Sequence, residues 1–142
     1  MIAFIWPIVL VVLANVLYQI CTKSVPAEIN PFASLIFTYL TSAAATAVIY
    51  FLQSGKSNLI EEYGKLNWTS YVLGLSIVAL EAGWIYAYKA GWEISKGFIV
   101  QSAFISLILL GVGYLLYQEA FTWNKALGAA VCLIGLALIN YK

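Results

Sequence analysis

Arginine, histidine and aspartate are absent from this chain, and charge of any kind is scarce: seven Lys and six Glu make up 9% of 142 residues. A soluble domain carries about a quarter charged residues. With 63% hydrophobic residues and a mean hydropathy of +0.92, there is too little polar material to cover a globule in water. An integral membrane protein is expected. Without His, a metal would have to be held by Cys and Glu. The two cysteines, Cys21 and Cys132, lie in different apolar runs with no CxxC spacing, so they read as small hydrophobes. No metal and no cofactor is expected. The net charge of +1 leaves no basic patch for nucleic acid. No nucleophile–base pair or phosphate loop is visible, which argues against an enzyme. The adjacent carboxylates Glu61 and Glu62 stand in a polar loop and read as solvated surface. A basic region ahead of the first apolar run is also missing, and that run, Ile2 to Cys21, is longer than a signal-peptide core.

What is present is a series of long apolar runs. A spanning helix needs about 20 such residues. Five are expected, at about 2–22, 31–53, 68–90, 96–118 and 123–141, forming one transmembrane domain over residues 1–142. The fold class is therefore all-α, a polytopic membrane bundle of five helices. Lys23 and SVPAEINP close the first run, and Asn30 with Pro31 opens the second as an N-cap and first helical residue. QSGKSNLIEEYGKLNWTS is the only polar segment of any length and reads as a loop with room for a short surface helix. The links GWEIS and EAFT are short enough to make the helices they join antiparallel neighbours. Trp68, Tyr71, Tyr88, Trp92, Tyr117, Trp123 and Tyr141 fall near helix ends, as an interfacial aromatic belt would.

Five spans put the termini on opposite sides. Lys56, Lys65 and Lys125 then share one side, and Lys23, Lys89, Lys96 and Lys142 the other. Orientation follows the lysine and arginine excess. A difference of one lysine predicts weak or dual topology, with copies inserted both ways up. Two such copies would form an inverted pair, the arrangement in which repeats alternate around a midplane site.

Glu81 stands near the centre of the third run. A carboxylate there costs on the order of 2.5–3.5 kcal/mol, and such groups face a bundle interior or a water-filled cavity. On a helix its face-mates are Gly74, Ile77, Trp84 and Tyr88. A cation could pair with the carboxylate and lie over the two rings, in exchange for a proton. The structural alternative is a protonated Glu81 bonded to a neighbouring helix. Asn15, Tyr18, Gln19 and Thr22 share one face of the first helix, either lining a cavity or bonding to neighbours. Lys23 ends that stripe and is expected to snorkel. Thr38, Ser42 and Thr46 recur at four-residue spacing in the second run, and Gln101, Ser102 and Ser106 mark the fourth. In the fifth, Gly128, Cys132 and Gly135 place small residues along one face, as packing or dimerisation requires.

GYLLYQEAFTWNKALGAAVCLIGLALIN resembles the end of proteins of the drug/metabolite transporter superfamily, in particular its EamA-like and small multidrug resistance members. In those, a helix ends in Glu, here Glu119. A short polar turn follows, here FTWNK, and then glycines seven apart, here Gly128 and Gly135. ANVLYQICTK resembles their first helix, closed by Lys23, and EINPF with Pro31 resembles the start of their second. The resemblance runs along nearly the whole chain. EamA-like transporters have ten helices in two inverted five-helix halves, and this chain looks like one half. That implies a homodimer, or a heterodimer with a related chain. Small multidrug resistance proteins carry a glutamate eight residues before the Lys that closes helix one, and Asn15 stands at that place here. Where many EamA members have Arg early in helix two, LIFTYL brings Thr38 and Tyr39. Glu81 is then left to take the charge role.

The expectation is a multi-pass secondary transporter of the cytoplasmic (inner) membrane, working by alternating access as an antiparallel homodimer. It would export a cationic or amphipathic metabolite or drug in exchange for protons at Glu81, with Trp84, Tyr88, Asn15, Tyr18 and Gln19 around it. The rival expectations are a lipid-linked sugar flippase subunit and a non-transporting membrane assembly protein.

Overall fold

The computed structural model describes residues 2–54, 59–120 and 122–140, apart from the side chains of 2–4, 54, 136, 139 and 140. Lys56, Phe121, Tyr141 and Lys142, which entered the charge, turn and aromatic patterns, lie outside the described residues. The described elements are all helices: α1 (Ile2–Lys23), α2 (Pro31–Ser54), α3 (Leu59–Tyr63), α4 (Trp68–Lys89), α5 (Ile94–Leu116) and α6 (Trp123–Asn140). Of these, α1, α2, α4 and α5 are long and apolar enough to cross a membrane. The helix α6 has 18 residues. The short α3 lies in the polar loop with no buried residue.

Local chemistry sets the helix ends. Asn30 Oδ1 accepts from Phe32 N–H at 2.9 Å, satisfying an amide at the start of α2. Asn67 does the same for Thr69 N–H at 3.0 Å at the start of α4. The helix α4 stops at Ala90, whose N–H returns to Tyr86 O at 2.9 Å. Gly91 follows with φ +97°, a conformation that side chains resist. Residues 91–93 thus break the run, and α5 starts at Ile94, two residues before the expected 96.

Two compact units result, Met1–Ala90 and Gly91–Lys142. In the first, α4 packs against both α1 and α2. Its core is Leu35 of α2 with Ala82 and Ile85 of α4, and Val25 and Tyr39 pack on it. Only the C-terminal half of α4 is enclosed: Ala82, Trp84, Ile85 and Tyr88 are buried, whereas Trp68, Tyr71, Leu73 and Leu75 are exposed. Lys89 secures that end, its Nζ donating to Ala27 O at 2.8 Å and Ile29 O at 2.6 Å in the α1–α2 loop.

In the second unit α5 and α6 pack together. After α5, Gln118 adopts φ 52° and Glu119 N–H bonds back to Gly113 O at 3.0 Å. The Glu119 carboxylate therefore folds over Gly113, where an added Cβ would meet its Oε2 at 3.1 Å. The same carboxylate pairs with Lys125 in the first turn of α6 at 3.2 Å. Glu119 thus stands in the turn and not on the helix end, closing the hairpin from both sides.

Candidate functional site in the first unit

Three helices bring polar side chains to Glu81. It stands eight residues before Lys89 on α4, and Tyr39 stands eight residues after Pro31 on α2. At about 1.5 Å per residue both lie about 12 Å from the same end of the bundle, because Lys89 grips the loop that leads into Pro31. Tyr18 stands five residues before Lys23 on α1, about 7.5 Å from the end of that helix. The Glu81 carboxylate acts electrostatically on both phenols.

Glu81 Oε2, Tyr18 Oη and Tyr39 Oη are buried and have no hydrogen-bond partner. Tyr39 comes near enough to Glu81, and Tyr18 near enough to Thr22, for a side-chain interaction. Neither approach has the geometry of a hydrogen bond. The Thr22 hydroxyl is already committed, donating to Tyr18 O at 2.8 Å. Leaving a buried donor or acceptor unmade costs about 1–3 kcal/mol. Three such atoms from three helices around one carboxylate are therefore a costly arrangement for packing alone.

The other expected site residues divide into two groups. Gln19, Trp84 and Tyr88 form a second cluster towards the lysine end. Tyr88 Oη donates to Gln19 Oε1 at 2.5 Å, inside the protein. The rings of Trp84 and Tyr88 stack with centroids 5.1 Å apart and planes 28° apart. Lys23 Nζ lies 5.0 Å from the Tyr88 centroid. The chain's own ammonium thus lies over one of the two rings that the sequence offered to a cation. Asn15 is exposed, so the stripe on α1 turns inward only from Tyr18 through Gln19 to Thr22. Gly74 is exposed too, with nothing within 4 Å of an added Cβ.

Tyr39 is the site residue that sequence reasoning missed. Its depth from Pro31, equal to that of Glu81 from Lys89, was the available signal. Thr38 and Thr46, by contrast, are exposed and spend their hydroxyls on their own helix, donating to Ser34 O at 3.2 Å and Ser42 O at 2.8 Å. In the second unit, Gly128 and Cys132 line a groove of about 420 Å³ between α5 and α6 with Ala103, Ser106 and Ala129. Nothing lies within 4 Å of an added Cβ at Gly128 or Gly135. Among the described residues no group of His, Cys, Asp or Glu could hold a metal. Set against known proteins, the chain matches no family model, no curated protein and no solved structure.

Proposed function

We propose that the chain is a secondary active transporter of small molecules that exchanges protons for a cationic or amphipathic metabolite or drug at Glu81. The observation that carries this reading is the buried, unpartnered Oε2 of Glu81, a carboxylate that interacts with the side chains of Tyr18 and Tyr39. A packing glutamate would use both oxygens on its neighbours. The titratable groups whose side chains interact with it are Tyr18 from α1 and Tyr39 from α2.

In this reading the working unit is an antiparallel homodimer in the cytoplasmic membrane. The 18 residues of α6 serve as the fifth span, within the range of about 17–25 that a bilayer requires. Gly128 and Gly135, with open space beside them, and the exposed Cys132 offer a face against which a second copy packs. The near-equal lysine count on the two sides lets the copies insert both ways up, and the inverted pair alternates access to the Glu81 layer.

Proton release tests the reading directly. Purified chain in weakly buffered detergent near neutral pH is mixed with a panel of cations, amines and amino acids, with Glu81→Gln beside it. Release from the parent and silence from the variant are expected. Equal release from both would remove Glu81 from the mechanism.

A further inference from the structure

The Tyr88 cluster already holds an ammonium, and the two halves of that contact differ in how firmly each is fixed. Lys23 Nζ lies over the Tyr88 ring, 5.0 Å from its centroid. The ring is the fixed half. Tyr88 and Trp84 are 7% and 8% exposed, their rings stack at 5.1 Å, and the Tyr88 hydroxyl is bonded to buried Gln19. The ammonium is the movable half. Lys23 is exposed and ends α1, with its charge at the tip of a flexible stem. The place that Nζ takes beside the ring therefore fits an ammonium, and the lysine stem traces a path to it from the surface. Attraction to the ring quadrupole, stronger where water is excluded, depends on the cation and not on its being joined to the chain.

We infer that the Tyr88 ring face is a binding site for a primary alkylammonium, and that Lys23 fills it as a tethered competitor when no such ligand is present. The head of the ligand takes the place of Nζ, its alkyl chain takes the place of the lysine stem, and Lys23 turns out to water. Tethering gives the lysine head a high effective concentration at the ring, so the intact chain binds a free ammonium weakly. Tyr88 stands seven residues after Glu81 on α4, about 10.5 Å along the helix at about 1.5 Å per residue. The site is thus separate from the carboxylate, and the inference does not rest on proton exchange there.

The test removes the tether. Lys23→Ala deletes the side chain beyond Cβ, a fragment whose free counterpart is propylammonium. Full-length chains in detergent are titrated with propylammonium, and with propanol as the uncharged control, and binding is read by calorimetry. Propylammonium is expected to bind Lys23→Ala at least about fivefold more tightly than the parent, with no such gain for propanol. Adding Tyr88→Leu to Lys23→Ala should abolish the gain. Adding Tyr88→Phe, which keeps the ring, should preserve it. Thermal unfolding establishes that each variant is folded. A second measurement uses the parent, its lysines isotopically labelled and followed by NMR. The Lys23 ε-methylene protons should resonate upfield of those of the other lysines, shifted by the Tyr88 ring, and excess propylammonium should move them back. No gain in Lys23→Ala, an equal gain for propanol, or a gain that survives Tyr88→Leu would overturn the assignment. So would a Lys23 signal that excess propylammonium leaves in place. Binding at Tyr88 releases no proton, so either result leaves the exchange at Glu81 to its own test.

Discussion

Two kinds of tyrosine in one small unit give opposite expectations. The hydroxyls of Tyr18 and Tyr39 are buried without partners. Removing such a group relieves a desolvation cost. Tyr18→Phe and Tyr39→Phe are therefore expected to stabilise the empty protein, each by about 1 kcal/mol. Tyr88 differs because its hydroxyl is bonded to buried Gln19, which is 5% exposed. Tyr88→Phe strands the Gln19 carbonyl and should cost about 1–2 kcal/mol. Thermal unfolding in one detergent compares all three. Phenylalanine at 18 or 39 that destabilises as much as at 88 would mean those hydroxyls are structural. Their place beside Glu81 was only half legible in the sequence. Tyr18 lay on a visible polar stripe, but Tyr39, between Thr38 and Leu40, falls outside the Thr38, Ser42 and Thr46 spacing, and only its distance from Pro31 marks its depth.

At the level of elements, the ends of α2 and α4 are tied by few groups, and each has a measurable share. Lys89 satisfies two loop carbonyls, those of Ala27 and Ile29. Lys89→Met keeps most of the apolar stem and loses both charge-assisted bonds. A destabilisation of about 1.5–3 kcal/mol is expected, with faster amide hydrogen exchange in residues 24–30. Gly91 at φ +97° ends the α4 run. Gly91→Ala should cost about 1–2 kcal/mol, read by the same unfolding assay. The start of α2 was legible because Asn30 caps through its own side chain, a local interaction that needs no distant partner. The grip of Lys89 was not, since it joins residues about sixty positions apart.

For the whole molecule, the proposed inverted pair makes orientation a control variable. Lysines added at Thr122→Lys and Asn124→Lys strengthen one side, and Ser24→Lys with Ser95→Lys strengthens the other. Each biased chain expressed alone is expected to lose proton-coupled exchange to background. Co-expression of the two opposite forms should restore it. Full activity of either form alone would exclude an antiparallel dimer as the working unit.

The sequence by itself determined the solvent class, the long apolar runs, the breaks between them and the depth of Glu81. Each follows from composition or from spacing along one chain. Only the tertiary structure decided which polar groups meet: Tyr39 beside Glu81, Lys23 over Tyr88, Glu119 over Gly113. The physical reason lies in the bilayer. Lipid tails are as apolar as a protein core, so a membrane helix can be apolar on every side and its sequence does not mark the face that turns inward. Packing fixes the rotation of each helix, as Ile85 and Ala82 of α4 do against Leu35 of α2, and that rotation sets which oxygens share a layer.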